Sequence, residues 1–448
     1  MANERNLITE EFDRITNEGP KRSAYYYTAE IMAGTTKITP FRISILDIVR
    51  DYSGNYADDI RLEFFIGTGT LHADIIPNKD QLTVYLRRQP VVGVSGEKNK
   101  NASVEMQAYR GALIEGSSAN IQSASPDNLS KTGADLSLPI IVTMQLTELV
   151  VEQIRMQTTG GNYYDEIPAN VLRVMMGNDS SIATGDQQQR VRGVDLVPPS
   201  NTTPRKNITI EQGTPLIELP NYFQYKLGGI YSTGMGYYLQ KGLWYIYPAA
   251  DCTRWNKPHR SLTVVNVSDT KAPGLDRSYR ETSNQVIILC TGKLKHFDNT
   301  EEVQLNRGNG ARFTKAENVP SGFGEYVAPN RYVVSRKKNN TEFYSMQRRT
   351  GLQKAMTSRQ KIVSNAFVEY SDIAMGECTY VMLEWQNSNE ALIYPGMPTK
   401  IVYEDNGEVK HILGVVHKAH HVITGDSNSM VDTKHKTTSV ITVLIAKQ

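Results

Sequence analysis

Four histidines crowd the C-terminal end of the chain: His417, His420, His421 and His435. Imidazoles this close in sequence raise the question of a metal site. Along an extended strand side chains alternate between faces, so His417 and His421 share one face and His420 takes the other. Two imidazoles four residues apart on a strand are about 13 Å apart, too far to share one ion. His435 lies beyond the polar loop 425–434 and could close on either face, but no cysteine stands nearby to complete a ligand set. Histidines on strand faces near an interface are the plainer reading. The three cysteines, Cys252, Cys290 and Cys378, are far apart in sequence and form no Cys-x-x-Cys pair. That spacing argues against a disulfide framework and against structural zinc. Cys290 closes the apolar run Val286-Ile287-Ile288-Leu289 and reads as a buried, inert thiol.

Other chemistry is equally sparse. Gly67-Thr68-Gly69 lacks the later Gly-Lys-Ser/Thr of a phosphate loop, and Arg307-Gly308-Asn309-Gly310 follows no convincing strand, so both read as turns. There is no Gly-x-Ser-x-Gly elbow. The carboxylate pairs Asp58-Asp59 and Glu301-Glu302 sit in polar stretches and read as solvated charges. The basic runs Arg87-Arg88, Ser335-Arg336-Lys337-Lys338 and Arg348-Arg349 read as solvated faces or as rim contacts to an acidic partner. The last two could form a patch with Tyr332 and Tyr344. No nucleophile, base and oxyanion hole can be assembled. The expectation is therefore no catalytic residue, no cofactor-binding residue, no metal ligand and no enzyme.

The elements that would carry such residues are mostly strands. The 448 residues are too many for one ordinary domain and suggest two to four units. Lys+Arg 49 against Asp+Glu 47 leaves a net charge of +2, which excludes histone-like wrapping of nucleic acid but not a local patch. No segment approaches the roughly 18 apolar residues of a membrane span. The charged opening MANERNLITEEFDR has no signal-peptide core, so synthesis and folding in a reducing cytoplasm are expected, and the Asn-x-Ser/Thr triplets at Asn101 and Asn201 carry no glycosylation message. Tyrosine (24) far exceeds phenylalanine (10), and Val, Ile and Thr recur in short runs broken by Gly, Asn and Asp, a β texture.

Strands are expected at Phe41–Ile45, Ile60–Ile66, Gln81–Leu86, Val104–Leu113 and Ile140–Leu146, with Ile76–Asp80 as a turn and 114–136 as a long loop. Glu166–Gly177 has a proline in its first turn and a glycine at its end, as a helix should. Pro220 within 214–229 predicts two short helices or a kinked one, and 178–208 reads as irregular. Gly242–Pro248 is a strand. Between 251 and about 345 only Gln285–Leu289 and Tyr332–Ser335 stand out, and 347–368 has helical spacing. The end of the chain is the most legible part. Cys378–Trp385, Thr399–Tyr403, Val409–His421 and Thr437–Ala446 are strands, and Asn406-Gly407 supplies the hairpin turn. The last strand is apolar on both faces, so it is buried on both sides or lies at a subunit contact.

This C-terminal block, with Tyr394-Pro395-Gly396-Met397, Asn406-Gly407-Glu408-Val409, Leu413-Gly414-Val415-Val416-His417 and Thr437–Val443, resembles the end of the baseplate (tail) hub proteins of contractile-tailed bacteriophages. It is similar to late control protein D and to the hub part of type VI secretion spike proteins. Phe41–Leu86 also looks like the first hub barrel, and the resemblance covers about half the chain. It implies a mainly β fold with a few short helices, built from two similar β-barrel tube-type domains plus inserted domain(s). The expected layout is an N-terminal arm (1–22), a first barrel (23–160), a helical or mixed segment (161–250), an inserted polar domain or extended loops (251–375) and the last strands of the second barrel (376–448).

The resemblance further implies a structural virion protein of the tail baseplate with no cofactor. It would be a homotrimer joining a hexameric tail tube protein to a trimeric central spike protein and touching other baseplate components. DNA or the tape measure protein would pass through the channel without sequence-specific binding, and there would be no membrane insertion. Identical subunits meet both three-fold and six-fold symmetry if each contains a duplicated module. The alternatives are a cell-wall- or carbohydrate-active virion protein and, more weakly, a tube initiator or head–tail connector ring component.

Overall fold

The computed structural model describes residues 2–18, 25–53, 55–90, 104–114, 139–179, 191–256, 260–267, 277–297, 374–375, 378–405, 408–425 and 435–446, with six two-residue bridge segments between 307 and 342. The fold is mainly β. The first unit contains β1 (Tyr25–Ala33), β2 (Thr36–Ile38), β3 (Arg42–Asp51), β4 (Asp59–Gly67), β5 (Leu82–Pro90), β6 (Glu105–Leu113) and β7 (Pro139–Glu148). They lie in the order β2-β1-β5-β6-β7-β4-β3, every neighbouring pair antiparallel. The sheet curls until β1 and β3 approach each other, without a ladder between them. Its inward positions alternate as a half-buried sheet requires: Ala29 and Ile31, Leu46 and Ile48, Leu62 and Phe64, Leu82 and Val84 make one core. The expected turn at 76–80 is part of a longer helical passage, Leu71–Gln81, whose Leu71 and Ile75 cap that core.

A middle segment follows. It holds α2 (Leu149–Arg155; α1 is the N-terminal Ala2–Glu18), β8 (Thr158–Glu166), α3 (Pro168–Asn178), β9 (Gly193–Leu196), β10 (Arg205–Pro215), α4 (Leu219–Tyr225), β11 (Met235–Gln240) and β12 (Leu243–Pro248). The kink expected near Pro220 appears as a 3₁₀ turn, Leu216–Glu218, followed at once by α4. The stretch 178–208, expected to be irregular, instead carries β9 and the start of β10. β9 adds in parallel to β12, a long-range pairing that local polarity conceals. Trp244 and Ile246 face the segment's own core, while Tyr245 and Tyr247 face the last unit.

The last unit is a closed six-stranded barrel. Its staves are β13 (Ser261–Val267), β15 (Gln285–Phe297), β16 (Cys378–Gln386), β17 (Pro398–Asp405), β18 (Glu408–Gly425) and β19 (His435–Ala446), with the short β14 (Tyr279–Glu281) on the outside of β15. Pairing runs β13-β15-β16-β19-β18-β17 and returns to β13. Two of these staves fall inside 251–375, so its first part belongs to the barrel and not to an insertion. The run Val286–Leu289 is apolar on both faces, and Leu262–Val265 is so apart from the buried Thr263, but the polar average of the region hides them. The calls for a strand at Tyr332–Ser335 and a helix at 347–368 lie outside the described residues, apart from the Val333–Val334 bridge.

The units share β18. Its first half pairs with β17, and its second half, Lys418–Thr424, pairs with β3 while the opposite edge stays on β19. A bulge between Val416 and Lys418 marks the change of partner. β19 is covered on both faces, as its sequence requires: Ile441, Val443 and Ile445 enter the barrel core and Leu444 packs with Ala250 and Ala374. The charged N-terminal segment forms α1, which lays Ile8, Phe12 and Ile15 on the outer faces of β13 and β15. The two β units thus differ in one respect: the last closes by ladders all round, and the first does not.

Candidate functional site: the ionic seam between the two β units

Where β3 meets β18, the first unit offers Arg50, near the end of β3, and Arg88 on β5. Both are buried, at 3% and 8% exposure. The barrel answers with the β16–β17 loop, a 3₁₀ turn at Glu390–Leu392 capped by Asn389 Oδ1. Arg50 Nε donates to Asp58 Oδ2 (3.0 Å) and Nη1 to the Glu390 carbonyl (2.8 Å). Arg88 Nε lies 2.8 Å from Glu390 Oε1, and its Nη2 donates to Asn389 Oδ1 (2.5 Å). The Arg88 guanidinium also stands 3.5 Å from the centroid of the Tyr25 ring. The middle segment contributes the Tyr238 hydroxyl, which donates to Asp58 Oδ1 (2.9 Å), and Lys241 Nζ, 2.7 Å from Glu105. Arg50, Arg88 and Lys241 therefore face Asp58, Glu390 and Glu105, three cations against three carboxylates.

Two further titratable groups are held neutral. Burial, then the charge of Asp58, push the Glu148 carboxyl up to about 8, so it keeps its proton at neutral pH. His421 is wholly buried. Desolvation first, then Arg50 and His420, hold it well below the ordinary imidazole range. Arg50 Nη1 lies 3.3 Å from His421 Nε2. A guanidinium only donates, so Nε2 must accept, and Nδ1 carries the proton and donates to Ser439 Oγ (2.6 Å). Ser439 in turn shares a hydrogen bond with Ser388 (2.5 Å).

A serine hydroxyl beside an imidazole is the start of a nucleophilic pair, but this one has the wrong third member. A catalytic imidazole needs a carboxylate to stabilise the imidazolium formed on proton transfer. Here a guanidinium occupies that side, and both Ser439 and His421 are fully shut off from solvent. The arrangement fixes two sheets together rather than activating a hydroxyl.

The other sequence candidates are dispersed. His420 Nε2 lies 2.6 Å from Asp47, across the β3–β18 ladder. His417 packs on Tyr380 and His435 on Tyr27, where it accepts from the Tyr27 backbone N–H. Burial pushes the Cys290 thiol up, as expected of an inert thiol. Cys252 and Cys378, distant in sequence, meet in space, and the hydrogen bond to Cys378 is the main cause that raises the Cys252 thiol. Two readings need correction. Asp58 is not a solvated loop charge: its side chain is 5% exposed. Arg88 is not on a solvated face, although its neighbour Arg87 is half-exposed and pairs with Glu30. The signal available was alternation: Leu82, Val84 and Leu86 point inward, so Arg88 follows them in. Glu301-Glu302 and Arg348-Arg349 lie outside the described residues.

No protein-family model matches the chain, and no curated protein sequence matches it significantly. Among solved structures the chain is similar in fold to a tail protein from Neisseria meningitidis MC58, with a TM-score of 0.44, 10% identity, and 94% of this chain and 96% of that one covered. It is similar to the 43 kDa tail protein of prophage MuSo2 from Shewanella oneidensis, with a TM-score of 0.43, 11% identity and coverages of 94% and 99%. It is also similar to the E. coli c3393 protein, a component of the type VI secretion system, with a TM-score of 0.40, 6% identity and coverages of 92% and 76%.

Proposed function

We propose that this chain is a structural component of a phage tail baseplate, a hub whose three copies join a six-fold tube to a three-fold spike. One observation carries the reading: two β units of six main strands each are mounted side by side on one continuous strand and locked by a balanced ionic seam. A trimer of such chains presents six β units in a ring, which is what an adaptor between six-fold and three-fold symmetry requires. Rigid coupling suits this task, because a hinge between the units would let the ring depart from six equal positions. The C-terminal sequence resemblance points the same way. The seam buries its only serine–imidazole pair against a cation, which favours scaffolding over catalysis.

Negative-stain microscopy with mass photometry tests the proposal. The expected particle is a three-fold ring with six lobes, of three times the chain mass. A particle that stays monomeric at micromolar concentration, or class averages with six or twelve identical copies, would sink it. A clearing band on a peptidoglycan zymogram would favour the cell-wall-active alternative.

A further inference from the structure

A cleft of about 320 Å³ opens where the middle segment meets the barrel, on the β16–β17 loop whose 3₁₀ turn also serves the seam. It is lined by Asp195 at the end of the β9 strand, Tyr245 on β12, Arg254 and Arg260 before β13, and Tyr394 and Gly396 in the β16–β17 loop. Tyr245 and Tyr394 stack with ring centroids 5.8 Å apart and planes inclined by 22°. The Tyr394 hydroxyl donates to the Arg260 carbonyl, which fixes that ring.

Arg254 is the unusual member. It is 2% exposed, yet among the described residues no carboxylate lies within ion-pair distance of it. Its Nη2 donates to the Gly396 carbonyl (2.6 Å), and its Nε has no hydrogen-bond partner among the described residues. Asp251 acts on the guanidinium without an ion pair and the Tyr247 ring centroid lies 5.9 Å from its Cζ, which leaves the Nε edge as the unanswered part of a buried cation. The site is nevertheless built with care. Gly396 has φ +65°, and a Cβ there would meet the Tyr247 ring at 2.2 Å, so only glycine brings this carbonyl to Arg254. Arg260 is already paired with Glu281, although its own Nε has no hydrogen-bond partner among the described residues.

We propose that this cleft binds a small carboxylic acid, its carboxylate seated on Arg254 and its body laid against Tyr245 and Tyr394. Charge selects a carboxylate over a phosphate. Arg260 is already neutralised by Glu281, and Arg254 stands against Asp195 and Asp251, so the cleft carries no surplus positive charge. A monoanion seated on Arg254 is repelled less by these carboxylates than a dianion would be. The guanidinium edge matches a planar carboxylate, and the aromatic pair accepts a flat apolar body.

The test is calorimetric titration of the full chain at pH 7 with benzoate, its uncharged counterpart benzamide, and phenyl phosphate. Benzoate should bind saturably, benzamide at least about tenfold more weakly, and phenyl phosphate no more tightly than benzoate. Arg254→Gln should weaken benzoate by about tenfold or more. Tyr245→Ala, at a half-buried position, should weaken it by about threefold to tenfold and serves if the arginine variant does not fold. Equal binding of benzamide, tighter binding of phenyl phosphate, unchanged affinity in either variant, or no saturable benzoate binding to the wild-type chain would each overturn the assignment. None of these outcomes depends on the baseplate reading.

Discussion

The seam and the cleft both bury arginine, and they treat it in opposite ways. Arg50 and Arg88 are each matched by a carboxylate and by further acceptors, so their desolvation is offset within the chain. Arg254 has a carbonyl as its hydrogen-bond acceptor, and Asp251 acts on it without an ion pair among the described residues. A fully answered charge fastens two pieces of one chain, while a half-answered one is suited to something that comes from outside. The contrast also explains how the first β unit stays attached. The barrel closes by its own ladders, but the curled sheet leans on β18 and on the seam.

The comparison breaks most visibly at the seam. Arg50→Met leaves Asp58 buried without its cation and should cost about 3–5 kcal/mol, read from urea unfolding. Glu148 comes next. The unfolded carboxyl loses its proton near its ordinary value of 4.5, whereas the folded one keeps it to about 8. Its contribution is therefore fully present below about pH 4.5 and is lost as pH rises towards 8, by an amount on the order of 3–5 kcal/mol. Glu148→Gln should flatten the stability profile over this window. His421 acts at the other end. Its lowered value means that stability falls as pH drops below about 6.5, a slope that Glu148→Gln should leave in place.

Smaller changes sharpen the contrast. Gly396→Ala drives a methyl into the Tyr247 ring and should cost about 1–3 kcal/mol while also displacing the Arg254 carbonyl. Arg254→Met removes a charge that has no ion pair among the described residues and only the longer-range Asp251 to answer it, so thermal unfolding should show less than about 1 kcal/mol of loss, or a gain. A cost as large as that of Arg50→Met would mean the two arginines do the same job. Lys37→Ala, at an exposed pair with Glu30, should change stability by less than about 0.5 kcal/mol.

Much of the element list was legible because strand and turn signals are local. The C-terminal strands, the Asn-Gly hairpin position and the helix opened by Pro168 follow from alternation, turn chemistry and capping. The seam was not. Arg50, Asp58 and Arg88 look like ordinary surface charges, and what buries Arg50 and Arg88 is a loop about 300 residues downstream. The cleft is equally non-local, since Tyr245 and Tyr394 stack across 149 positions.

By itself the sequence settled that this is a strand-rich chain and that its last strand must be covered on both faces, because hydrophobic alternation is written residue by residue. Tertiary structure alone decided which strands are neighbours. It placed β13 between β15 and β17, made one sheet close and the other lean on β18, and chose which arginines found carboxylates. The physical reason is that a ladder or an ion pair depends on two distant segments arriving together, and neither segment carries a local mark of its partner.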